Sequence, residues 1–164
     1  MRSFFDSFDR SPSEQYHYKL MSARQEIDSL RFAEIAGRIS GEYSLQELGR
    51  LHDLLASRDG TLHWWLEGGH DAGRPVLRLG VQGALTLVCQ RCLGPYVLPL
   101  EIKAVLPIAR SEEELARWER EDPLLDGLVA EPHLDVRDLI EDEVLLSLPA
   151  IPRHPLGECG QAEV

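Results

Sequence analysis

Two cysteines three positions apart, in Cys89-Gln90-Arg91-Cys92, are the residues of this sequence best suited to chemistry. They end a strand-like run, and Leu93-Gly94-Pro95 follows, which places both thiols in one tight turn. A turn of that kind can aim two thiolates at one cation, the geometry of a zinc knuckle, and a tetrahedral site then needs two more ligands. His154 and Cys159, spaced H-x4-C in a proline-punctuated tail, are the candidates. The set Cys89, Cys92, His154 and Cys159 uses every cysteine in the chain. Four protein ligands leave no open position for water, so a single zinc ion held there would be structural. Two other readings stand beside this one: reduced thiols without metal, and a redox pair. Redox pairs of this spacing open a helix whose N-terminus lowers the thiol pKa, whereas here a turn and a strand follow.

Other chemistry is hard to find. The sequence holds no G-x-x-x-x-G-K-[ST], G-x-G-x-x-G, G-x-S-x-G or H-E-x-x-H. The glycines from Gly68 to Gly73 lack the lysine and the following helix that a phosphate cradle requires. His63 and His70 lie near an expected hairpin with no nucleophile beside them. Glu141-Asp142-Glu143 is rich in carboxylates, but consecutive helix residues point about 100° apart and share one cation poorly. Trp64-Trp65 on a strand must send one ring inward and one outward, and the outward ring could stack on a base or lie under a covered sheet face. Nothing in this survey reads as an active site.

The chain has 164 residues, 43% hydrophobic and 27% charged, which suits one globular domain. Three cysteines make no disulfide framework. The start, Met1-Arg2-Ser3-Phe4-Phe5-Asp6, breaks up too soon for a secretory leader, and no apolar run approaches the roughly 18 residues that cross a bilayer. A cytoplasmic protein without membrane partners is expected. The net charge is -11, from 28 acids and 17 bases. Met1 to Arg110 balances at 13 of each; Ser111 to Glu143 sets 13 acids against Arg117, Arg120 and Arg137, for -10. Nucleic-acid binders normally carry a basic stripe, and none is visible. The acidic block would attract a basic partner or serve as solvated surface.

The expected elements follow from caps, periodicity and breakers. Residues 1–14 read as a loose arm carrying Phe4, Phe5 and Phe8, and residues 15–164 as a single α+β domain. Gln15–Leu20 and Gly37–Tyr43 suit short extended pieces, and Asp28–Ala36 one or two helical turns. Ser44-Leu45-Gln46-Glu47 has the form of a capping box, and the spacing of Leu45, Leu48, Leu51 and Leu55 predicts an amphipathic helix to Ser57. Thr61–Glu67 and Pro75–Gln82 read as a hairpin around a glycine-rich loop, Ala84–Cys89 as a third strand and Tyr96–Ile108 as a fourth. Pro99 and Pro107 argue for an edge or a bulge there. Ser111 caps a charged helix to Glu121, and Asp135 caps a last helix with Val136, Ile140 and Val144 on its apolar stripe. The acids Asp138, Glu141, Asp142 and Glu143 crowd the rest of that helix until Pro149 stops it. The fold class is α+β: a mostly antiparallel curved sheet or partial barrel with two or three helices.

Two segments taken together resemble the YceD family, the large ribosomal RNA subunit accumulation proteins. One is Leu87-Val88-Cys89-Gln90-Arg91-Cys92 with Pro95-Tyr96. The other runs from Leu134-Asp135 through Glu141-Asp142-Glu143-Val144 to Leu148-Pro149, Pro152 and His154, with Cys159 behind it. Similar chains often continue past the Cys/His segment into an apolar and basic tail, and this sequence stops at Val164. The resemblance implies a cytoplasmic, non-enzymatic factor needed for synthesis, processing or stability of 23S (large-subunit) rRNA. Joined to the charge pattern, it suggests that Asp138, Glu141, Asp142 and Glu143 bind a basic large-subunit ribosomal protein or pre-ribosomal particle. The alternative is a module that binds rRNA directly through its sheet face, with Arg74, Arg78 and Arg91 near one end.

Overall fold

A computed structural model describes residues 25–159 of the chain; the expected arm and the Gln15–Leu20 strand lie outside them. In chain order the elements are β1 (Glu26–Ile27), α1 (Ser29–Glu34), β2 (Arg38–Ser44), a 3-10 turn (Gly49–Leu51), β3 (Leu55–Ser57), β4 (Thr61–Asp71) and β5 (Arg74–Val88). Then come β6 (Pro95–Ala109), α2 (Glu112–Glu121), β7 (Leu128–Val129), β8 (Leu134–Asp135) and α3 (Val136–Ser147). The fold is α+β, with a mostly antiparallel sheet that does not close.

The main sheet has the order β2-β4-β5-β6-β7, with β3 also paired to β5. Its spine is β5, which pairs with β6 along its length, from Val76 opposite Pro107 to Val88 opposite Pro95. On the other side β4 covers β5 as far as Gln82, and β3 takes over at Thr86 and Leu87. Alternation along these strands sends Leu62, Trp64 and Leu66 of β4 and Leu77, Leu79, Val81, Leu85 and Leu87 of β5 into one core. Val136, Leu139, Ile140 and Val144 of α3 complete it, matching the apolar stripe expected there. Each fully buried leucine contributes about 1.5–3 kcal/mol.

The helix caps are as the sequence implies. The Asp28 carboxylate accepts from the Arg31 amide at 3.0 Å, Ser111 Oγ from Glu114 N at 3.2 Å, and Asp135 Oδ1 from Arg137 N at 2.9 Å. A two-stranded ladder of β1 and β8 clamps the starts of α1 and α3 together. Buried Ser29 adds to that clamp, its hydroxyl accepting from Glu131 N at 3.0 Å.

The strands expected at Pro75–Gln82 and Ala84–Cys89 are one continuous strand, β5, and two other expectations need correction. Residues 44–57 do not form a helix: beyond the capping-box turn lie only the 3-10 turn and β3. The box itself exists, with Ser44 N donating to Glu47 Oε2 at 2.9 Å and Gln46 N to Ser44 Oγ at 3.2 Å. It starts a turn that does not propagate. Leu45, Leu48 and Leu51 are fully buried in a compact loop, closed by a 3.0 Å contact between His52 Nε2 and the Leu45 carbonyl. Gly49 in mid-segment disfavours a helix by about 1 kcal/mol. The second correction is the hairpin. The β4–β5 connection is only Ala72-Gly73, with φ values of 48° and 78°, the pattern of a two-residue type I′ turn. Gly68 and Gly69 belong to β4, and Gly68 serves close packing: a Cβ there would lie 2.2 Å from the Phe32 carbonyl oxygen of α1.

Candidate functional site

The turn between β5 and β6 and the strap after α3 build one cluster. Cys89 is fully buried at the end of β5; its amide donates to the Gly94 carbonyl at 2.9 Å, and Leu93 N returns to the Cys89 carbonyl at 2.9 Å. Leu93 takes a left-handed conformation, φ 59°, which tightens the knuckle. The strap runs beside it, fixed by Gln90 N donating to the Pro152 carbonyl at 2.8 Å. Beyond Pro155 the chain reverses at Gly157, φ 89°, which returns Cys159 towards the knuckle.

The ligand atoms of Cys89, Cys92, His154 and Cys159 all lie within 4.8 Å of one another. Cys89 Sγ is 3.6 Å from Cys159 Sγ, and His154 Nδ1 is 3.5 Å from Cys92 Sγ and 3.6 Å from Cys159 Sγ. A tetrahedron with zinc–sulfur bonds of about 2.3 Å has edges of about 3.8 Å, so these separations suit one ion. His154 Nε2 lies 3.2 Å from the Pro95 carbonyl. Donation to that oxygen leaves Nδ1 as the lone-pair nitrogen facing the thiols, the orientation second partners commonly impose on a metal-binding histidine.

The thiols are unequal. Burial pushes the Cys89 thiol up, but the backbone amides of Cys92, His154 and Arg91 and the His154 ring outweigh it, bringing its pKa down to about 5. The Gly94 amide pulls Cys92 down, yet burial and the neighbouring thiols leave it raised. No helix starts at the motif, since β6 follows it directly, so the support a thioredoxin-like pair would need is missing.

The three arginines do not share one end of the sheet. Arg74 and Arg78 lie at the start of β5 and Arg91 beyond its finish; the strand from Arg78 to Val88 alone spans about 30 Å. Each has an intramolecular partner. Arg74 sits 4.4 Å over the Trp118 ring with Nη2 3.6 Å from Glu121. Arg78 Nη2 donates to the His70 carbonyl at 3.2 Å, and Arg91 Nε to Cys159 Sγ at 3.0 Å. Trp64 points inward, 4% exposed and stacked on Tyr43, while Trp65 lies over Gly80 on the opposite face.

The acids of α3 are also split. Asp138 and Asp142 are exposed, one helical turn apart; Glu141 is 3% exposed and Glu143 8%. The solvated face expected for all four is therefore narrower than the sequence implied. Glu141 Oε1 accepts from the Arg50 amide at 3.1 Å, and the Arg50 guanidinium meets Asp142 at 2.6 Å, so this stretch also ties the 3-10 turn to α3. Sequence reasoning missed that role, because nothing local in Gly49-Arg50-Leu51 marks a partner 91 residues away. Burial raises the Glu143 pKa, and Asp126 and Asp142 raise it further. The rest of the block stays in water: Glu112, Glu113, Glu119, Glu121 and Asp122 in and after α2, then Asp126 and Glu131.

The sequence profile described as "Large ribosomal RNA subunit accumulation protein YceD" matches residues 77–164, more than half of the chain, and spans both knuckle and strap. A relative bearing that same description, from Haemophilus influenzae, is 28% identical over 145 residues, covering 81% of this chain and 76% of its own length. No solved structure matches. Among the described residues no helix is long and apolar enough to cross a membrane. The profile match takes in the Cys-x-x-Cys turn, the acidic helix and the Cys/His strap, and the chain belongs to the YceD family.

Proposed function

We propose that this chain is a non-enzymatic, cytoplasmic factor for the accumulation of large-subunit (23S) rRNA. It acts by holding a basic large-subunit ribosomal protein, or an assembly intermediate that presents one, against its acidic surface. The observation that carries this is the exposed carboxylate run of α2, the α2–α3 connection and Asp138 and Asp142 of α3. It extends across elements, since Asp126 of the connection acts electrostatically on Glu143 of α3. Such a surface lowers the tendency of a basic protein to bind rRNA non-specifically. The rRNA is then an indirect partner, and the relative's printed description supports the pathway. The second reading, direct rRNA binding through Arg74, Arg78 and Arg91, has less support because each of the three is already engaged within the protein.

Cys89, Cys92, His154 and Cys159 are proposed to hold one structural zinc ion. Bound there, zinc would fix the knuckle to the strap and supply no catalysis, all four ligands being protein groups.

The test uses total protein extracted from large ribosomal subunits and freed of rRNA. Native chain should retain a basic component, with retention falling as salt rises. Neutralising three exposed acids together (Glu119→Gln, Asp126→Asn and Asp138→Asn) should weaken it roughly threefold or more, from about 0.2–1 kcal/mol per charge. Unchanged retention across salt would overturn the proposal, as would tight binding of purified 23S rRNA that Arg78→Ala abolishes.

A further inference from the structure

Arg91 lies inside the Cys-x-x-Cys turn, and its exposed side chain turns back onto a sulfur of the strap. Its Nε–H donates to Cys159 Sγ at 3.0 Å, and its own amide donates to Cys89 Sγ at 3.4 Å. One residue thus touches a sulfur of the knuckle and a sulfur of the strap. We propose that Arg91 is the counter-charge of the metal centre, neutralising its excess negative charge and positioning Cys159 as a ligand. The inference rests on the zinc reading above.

The charge arithmetic calls for such a group. Three thiolates and a neutral imidazole around a divalent ion leave one net negative charge. That charge sits among Cys89, which is fully buried, and Cys92 and Cys159, which are partly so. A cation in direct contact offsets it, and a hydrogen bond to a charged acceptor is about twice as strong as a neutral one. Cys159 is where it matters most. Cys89 directly follows β5, Cys92 belongs to the tight knuckle, and His154 is oriented by the Pro95 carbonyl. Cys159 comes last, after the Gly157 reversal, and its sulfur meets Cys89, Cys92, His154 and Arg91. Of these, Arg91 alone carries a fixed positive charge.

The residue type fits. A guanidinium is planar and charged at every physiological pH, and its Nε–H has a fixed direction, so it can both neutralise and orient a sulfur. A lysine keeps the charge without the fixed direction. The contact uses the Nε–H, one of the five guanidinium donors, to hold the sulfur.

The experiment compares the full chain with Arg91→Met and Arg91→Lys, loading each with Zn2+ alone and, separately, Co2+ alone. Affinity is read by competition with a chromophoric chelator, and the ligand set by the cobalt–thiolate absorption. Melting of the metal-free proteins shows whether either variant harms the fold itself. Arg91→Met should bind Zn2+ roughly 10–100-fold more weakly, the usual effect of losing a group that supports a ligand. Its cobalt spectrum should still report three thiolates, and its metal-free melting should match the native chain. Arg91→Lys should recover part of the affinity. Native affinity in both variants, or equal losses in both, would overturn the counter-charge role while leaving the zinc site standing. A native chain that binds neither metal would instead overturn the zinc reading.

Discussion

Glu143 is a residue whose chemistry departs from what its type suggests. Its carboxylate is buried on α3, where desolvation, Asp126 and Asp142 all raise its pKa. The consequence for stability has a definite sign. Below the unfolded value of about 4.3 the group is protonated in both states and contributes nothing. As pH rises past that value the unfolded chain releases its proton first, so the folded state loses stability until the raised folded pKa has been passed. Glu143→Gln is therefore expected to raise resistance to urea at neutral pH and to leave it unchanged below about pH 4. An equal gain at both pH values would show that packing, not ionisation, is the cause. The neighbouring Glu141 is also buried, and its carboxylate accepts the Arg50 amide. The sequence marks both only as glutamates in an acidic helix, and their separate fates depend on what packs against them.

At the scale of elements, local signals in the sequence set the helix starts. The starts of α1, α2 and α3 depend on one side chain accepting from an amide two or three residues on, and the sequence names that side chain for α2 and α3. The Cys3His set could also be found, since its residue types are scarce in this chain and their spacing is chemical. The segment 44–57 shows the limit. Its capping box forms, and its leucines are buried as a helical stripe would be, but whether the turn propagates is settled by the single core they all enter. Gly68 reads as a turn residue in the sequence because glycine serves both turns and close approach, and only the position of α1 decides between them. The strap from Pro149 to Cys159 has little secondary structure of its own and is held to the knuckle by the Gln90–Pro152 hydrogen bond and the four candidate ligands. If zinc closes that link, chelation should speed tryptic cleavage after the exposed Arg153 several-fold, and added Zn2+ should reverse the effect. Equal cleavage rates with and without chelator would mean that the strap holds without metal.

For the whole molecule, the uneven charge is the dominant physical fact. Residues up to Arg110 balance, and the next 33 carry -10. The fold keeps most of those acids on the surface while pairing Arg74, Arg78 and Arg91 within the protein. The result is a surface suited to a cationic protein and poorly suited to phosphate, in a family named for ribosomal RNA accumulation. The most direct test is crosslinking of the tagged chain in growing cells, with RNA and protein recovered from the same sample. The expected result is a basic large-subunit ribosomal protein crosslinked to the chain, without rRNA joined directly to it. Direct crosslinks to 23S rRNA at the sheet arginines, with no basic protein recovered, would contradict the account.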